Sequence, residues 1–107
     1  MIDIRNYDKV VVKMNTGLAY SWTKLEKHED KVEMYRKNTF IDLTLGKYLP
    51  LDDEWKKFKD LTIDQANRVL EGYANIIELL KCEKGDKVIV KFNEEGGEFF
   101  IDIDVKG

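Results

Sequence analysis

The chain has 107 residues, of which 43% are hydrophobic and 36% charged, with a net charge of −3. That length fits one domain, and that composition fits a packed globule rather than a disordered chain. A single cysteine, Cys82, excludes an intramolecular disulfide, and no apolar run approaches the roughly 18 residues of a membrane span.

The first residues, MIDIRNYDKV, lack a basic-then-apolar leader pattern, so the expected location is cytoplasmic. The charge is uneven. Residues 1–19 carry +1, residues 20–60 balance, and residues 61–107 carry −4. A mildly acidic chain argues against strong nonspecific DNA binding. Arg, the better bidentate reader of phosphates and bases, accounts for only three of the 18 basic residues.

In chain order, KVVVKM (9–14) alternates Val10, Val12 and Met14 on one face, the period of a strand. Asn15-Thr16-Gly17 is a turn signal, and Leu18, Tyr20 and Trp22 alternate in a second strand. Residues 23–37 fit two patterns. Leu25, His28, Val32 and Tyr35 have helical spacing, and Thr23 with Glu26 could form a capping box. The preferred reading is two strands broken near Glu29-Asp30, with a further break at Asn38-Thr39. Phe40 to Leu45 then reads as a strand, and Pro50 is expected to prevent pairing beyond Gly46. DDEWKKFKD (52–60) places acids before lysines, the order a helix dipole favours, and predicts a short helical turn.

The main helix has the plainest signature. Thr62 and Gln65 form a capping box, and Ile63, Ala66, Leu70, Tyr73, Ile77 and Leu80 repeat with 3-4 spacing. Val69 and Ile76 widen the stripe, Gly72 suggests a close backbone contact, and Gly85 suits the residue after the helix. Val88, Val90 and Phe92 then alternate, as do Phe99, Ile101, Ile103 and Val105, around a glycine-bearing link. The expected fold is α+β: four strands, a helix and two strands, mostly antiparallel, with the helix on one face.

Few residues suggest catalysis. His28 is the sole histidine, Ser21 lacks a nucleophile-elbow context, and Cys82 lies at a helix C-terminus, which disfavours a thiolate. No phosphate-binding loop motif occurs, and Cys and His are too few for a zinc site. Asp102 and Asp104 alternate with apolar residues. They read as the wet face of a sheet in preference to a divalent-metal site shared with Asp42. Pairing Val90 with Ile101 would set Lys87 across from Asp104. No enzyme activity and no cofactor are expected.

Two recognition surfaces stand out instead. Glu94, Glu95, Glu98, Asp102 and Asp104 form an acidic hairpin suited to a basic protein partner, with Trp55 as an aromatic anchor and Leu79 outside the main stripe. A phage or mobile-element inhibitor of a host nucleic-acid-processing protein, its acids standing in for phosphates, is one concrete form of this leading expectation. The alternative is single-stranded nucleic acid on a face bearing Tyr20, Trp22, Lys24, Tyr35, Arg36 and Lys37. A homo-oligomer formed through a sheet edge is a third possibility, and no membrane partner is expected.

WTKL (22–25) and LPLDDEWKKF (49–58), set among four strands leading to a helix, resemble the Whirly and transcriptional-coactivator family of single-stranded-DNA-binding proteins. The resemblance implies single-strand binding and covers roughly residues 9 to 80. It carries over no residue. The acidic net charge departs from that family, and residues 86–107 have no counterpart in it.

Overall fold

The computed structural model describes residues 2–15, 19–42, 47–50 and 54–106, with only the strand backbone at 19, 20, 38–42 and 47–50. Among the described residues, seven strands and one helix follow in the order β1 (Lys9–Asn15), β2 (Ala19–His28), β3 (Lys31–Asp42), β4 (Lys47–Pro50), β5 (Lys56–Thr62), α1 (Ile63–Lys84), β6 (Val88–Glu95) and β7 (Glu98–Val105). A 3-10 turn at Ile4–Asn6 precedes β1, and another at Gly85–Lys87 follows α1. The α+β expectation holds: one mostly antiparallel sheet carries one main helix.

The sheet order is β4-β3-β2-β1-β7-β6, with β5 also paired to β3. β4 and β5 lie end to end along the same edge of β3, both antiparallel to it. In the middle, β1 and β7 pair in parallel, so the first and last strands meet at the centre. Helix α1 leaves β5 at one edge and returns at β6 on the other. Its 22 residues span about 33 Å, enough to cross roughly 24 Å of sheet on a diagonal.

Alternation decides the faces. Val10, Val12, Leu25, Val32, Ile101 and Ile103 are buried and register-matched, and they meet Ala66, Leu70 and Ile77 of α1. Tyr73 on α1 shares a 2.6 Å hydrogen bond with Thr23, a buried threonine on this same face. The capping box forms in both directions: Gln65 N–H donates to Thr62 Oγ1 and Thr62 N–H to Gln65 Oε1. Gly85 caps the far end at φ 56.

Several expectations need correction. Residues 56–60 are strand, not a helical turn, because β3 offers them a free edge. Thus five strand segments precede the helix among the described residues, not four. Lys47–Pro50 pairs with β3, with Pro50 opposite Thr39 at the sheet edge, where a missing N–H costs no ladder bond. β3 runs unbroken through Asn38-Thr39 because β2 pairs with it from Lys31 to Phe40. The break at Glu29-Asp30 is present, with Glu29 at φ 58. Ile76 is 38% exposed, outside the packed stripe. A Cβ at Gly72 would meet nothing within 4 Å, so no close contact explains that glycine. The last hairpin pairs Val90 with Ile103 rather than Ile101, which sets Lys91 across from Asp102. The turn at residues 16–18, and Leu43 and Leu45, lie outside the described residues.

No described helix is long and apolar enough to cross a membrane.

Candidate functional site

The face away from α1 has no helix over it among the described residues, and the strand registers write its side chains in rows. One row runs Lys91, Asp102, Lys13, Trp22, Lys37 from β6 to β3. The next toward the β2–β3 turn runs Asn93, Phe100, Val11, Lys24, Tyr35, Lys57. Beyond it lies Glu95, Glu98, Lys9, Glu26, Glu33, Asp60. The open face is therefore polarised, with lysines and aromatic rings toward its middle and carboxylates toward one end.

Trp55 precedes β5 and folds over the lysine-rich rows. Its ring meets Trp22 edge to face, with centroids 6.4 Å apart. Lys24 lies between Tyr35 and Trp55, with its Nζ 4.7 and 4.8 Å from the ring centres. Lys37 sits over Trp22 and Trp55 at 4.6 and 4.8 Å, and Lys13 over Trp22 at 5.2 Å. Each such contact is worth about 0.5–1 kcal/mol at an exposed site, rising toward about 2 when desolvated. The Lys24 side chain is only 14% exposed and also pairs with Glu26 at 3.1 Å.

The acidic end is internally neutralised. Tyr35 donates its hydroxyl hydrogen to Glu33, which raises the Tyr35 pKa and lowers that of Glu33. Lys57 bonds Asp60 at 2.9 Å, which raises the lysine and lowers the carboxyl. His28 approaches Glu33 at 3.5 Å and Glu26 at 3.7 Å.

The two surfaces expected from sequence fare differently. Trp22, Lys24, Tyr35 and Lys37 come together, joined by Lys13 and Trp55. Arg36 does not: it pairs with Thr23 in register and so faces the helix side, with its guanidinium 5.8 Å from Phe58. The parity of a strand forces this, since Arg36 lies between Tyr35 and Lys37. Tyr20 holds the register position opposite Asn15 and Thr39, and its side chain lies outside the described residues. Lys13 could have been found from sequence, because it alternates against Val10, Val12 and Met14. Trp55 could not be assigned to this face, because its position depends on where β4 and β5 dock.

The acids of the last hairpin are divided between faces. Glu94 lies on the helix side, near Tyr7, whose hydroxyl is pushed up by burial and by that carboxylate. Glu95, Glu98, Asp102 and Asp104 lie on the open side. Glu98 is paired with Lys9 at 2.9 Å, and Asp104 accepts from Asn15 Nδ2 at 3.0 Å. Trp55 stands at the opposite edge of the sheet from this hairpin, and Leu79 is 58% exposed on α1. No group of three or more His, Cys, Asp or Glu among the described residues is placed to hold a metal. A cavity of about 420 Å³ opens on the helix side, lined by Tyr7, Leu70, Ile77, Phe92, Phe99 and neighbours.

The fold and this face define a one-helix, mixed-sheet α+β domain with a lysine-and-aromatic open surface. No protein-family model matches the sequence, and no curated protein or solved structure matches it, so the resemblance seen in the sequence gains no support from these comparisons.

Proposed function

We propose that this chain is a non-enzymatic recognition module of the cytoplasm that binds single-stranded nucleic acid on its open sheet face. One observation carries the reading: Trp22 and Trp55 lie 6.4 Å apart with Lys13, Lys24 and Lys37 over their rings. The ligand that satisfies such a cluster offers negative charge to the ammonium groups and flat rings to the indoles. An unpaired nucleotide strand offers both, whereas the bases of a duplex are already stacked on one another. Binding is an exchange. Phosphates draw the lysines off the rings, and a base replaces each ammonium. A stacked base is worth about 1–3 kcal/mol, against about 0.5–1 for an exposed cation and up to about 2 for the mostly buried Lys24. At one end Lys9, Lys31 and Lys57 are already engaged by carboxylates, so they offer no charge to phosphate and the track ends there.

Fluorescence anisotropy with labelled single-stranded and duplex oligonucleotides tests this. Single strands are expected to bind better than duplexes, and three lysines give a log–log salt slope of about −2. Trp22→Ala should weaken binding roughly 5- to 150-fold with circular dichroism unchanged. Absence of binding even at low salt, or full affinity in a folded Trp22→Ala protein, would remove the reading.

One observation favours a second reading, capture of a basic protein partner. Glu94 and Glu95 are both exposed at the hairpin tip, Glu95 on the open side and Glu94 on the helix side, where Tyr7 hydrogen-bonds it. An inhibitor whose acids imitate phosphates would use this tip. Reversal of Glu94, Glu95 and Glu98 to Lys would then abolish capture, and Trp22→Ala would leave it intact.

A further inference from the structure

We propose that the outer edge of β6 is a docking surface for a second copy of this chain, paired antiparallel and centred on Phe92. The proposal is independent of the lysine-and-aromatic face, which lies toward the other edge.

The two sheet edges are built differently. Along one, β4 has four residues and ends in Pro50, and β5 carries a bulge at Phe58 together with Lys56, Lys57 and Lys59. Short strands, proline, bulges and lysines are the devices that stop an edge from recruiting another strand. β6 shows little of this. Its eight residues pair with β7 in unbroken register, contain no proline, and hold one lysine, with acids only at the turn end.

Its free backbone groups can be located. Lys106 N–H donates to Lys87 C=O at 2.8 Å, which makes Lys87 a hydrogen-bonded partner of the last strand. Bonded and non-bonded pairs alternate in an antiparallel ladder. The odd-numbered residues of β6 therefore turn their N–H and C=O groups toward β7. Those of Val88, Val90, Phe92 and Glu94 point outward from the sheet. The Phe92 side chain is 58% exposed. Its ring lies 5.9 Å from Phe99, which lies 5.1 Å from Tyr7, so a row of rings ends in water at this edge.

Charge and aromatic contact together select the register, since centring on Asn93 would set Lys91 opposite Glu95 but would also set each Phe92 ring against Glu94. Like faces must align, so the two-fold axis passes through a single residue of β6. Centring on Lys91 would oppose two ammonium groups, and centring on Val90 would set Glu94 across from the second copy's Asp86. Centring on Phe92 places ring against ring and sets Lys91 opposite Asn93, with Glu95 of the other copy on one diagonal and its Lys91 on the other, so that no like charges stand directly opposed. Diagonal neighbours on one sheet face lie within reach of a long side chain. The aromatic row then continues across the interface, and the sheet becomes continuous through both copies.

Sedimentation velocity across concentrations, with two sets of variants, tests the proposal. The wild-type mass should rise from 12.6 kDa toward twice that value. Phe92→Lys should remain monomeric with unchanged circular dichroism, since the side chain is mostly exposed. In a Cys82→Ser background, Phe92→Cys should form a disulfide dimer under mild oxidation. Opposed Cα atoms in a hydrogen-bonded pair lie about 5.5 Å apart, within disulfide reach. Asn93→Cys should not, because Asn93 faces Lys91. A wild-type chain that stays monomeric up to its solubility limit would overturn the proposal. So would a dimer that survives Phe92→Lys, or equal crosslinking at both positions.

Discussion

Asp3 shows how much one carboxylate organises. It bonds the Arg5 guanidinium and accepts from the Arg5 backbone N–H and from Asn67 Nδ2, while Asn67 Oδ1 accepts from Ile4 N–H. The fully buried Ile4 is thereby fastened to α1. The Arg5 guanidinium, then its backbone N–H and Asn67, pull the Asp3 carboxyl down from 3.8 to about 2. A carboxyl with a lowered folded pKa contributes stability above its unfolded value and loses it as pH falls through the folded one. The tie is expected to hold above pH 3.8 and to fail toward pH 2. Asp3→Asn should make the melting temperature fall less steeply across that window, as thermal scans at stepped pH would report. Glu33 and Asp60 are also lowered, by Tyr35 and Lys57, so part of the slope should remain. An unchanged slope in Asp3→Asn would show that the tie contributes nothing.

Among the elements, α1 follows its local signals closely, from the reciprocal Thr62–Gln65 cap to the positive φ at Gly85. Gly72 is the exception. It lies inside the helix with open space where a Cβ would go. Gly72→Ala should therefore stabilise the protein by about 1 kcal/mol, with a higher urea midpoint and an unchanged m value. A lower midpoint would mean that the glycine is needed for a contact formed only in an assembly. β5 behaves in the opposite way. The charge order of residues 52–60 suits a helix, yet Lys56–Thr62 forms a strand because β3 presents unsatisfied backbone groups along its edge. The bulge at Phe58 marks the poor local fit, since one residue has no partner between Met34 and Tyr35.

At the scale of the whole molecule, the parallel β1–β7 pair makes the sheet depend on both ends of the chain. Ile103 sits on β7 opposite Met14 and Val90, with none of its surface exposed. Ile103→Ala should cost about 2–5 kcal/mol, a large share of the roughly 5–15 available to a domain. Urea unfolding would measure it. A cost under about 1 kcal/mol would mean that the surrounding side chains collapse into the vacated space. Because that pair joins distant parts of the chain, unfolding is expected as one transition without early loss of the last hairpin.

What the sequence by itself determined is what short-range periodicity and capping control. These are the α+β class, the helix with its cap and stripe, the alternation of the last hairpin, and the break at Glu29-Asp30. Within a strand, parity would also have separated Trp22, Lys24, Tyr35 and Lys37 from the buried positions, and the same rule would have removed Arg36. Only the tertiary structure decided the parallel central pair, the strand identity of residues 56–62, and the passage of β3 through Asn38-Thr39. It also decided the register that pairs Asp102 with Lys91, and the arrival of Trp55 over Trp22. Each depends on a backbone edge supplied by residues remote in the chain. Hydrogen bonding to such an edge can override a local preference of about 1 kcal/mol, and no pattern within the segment records it.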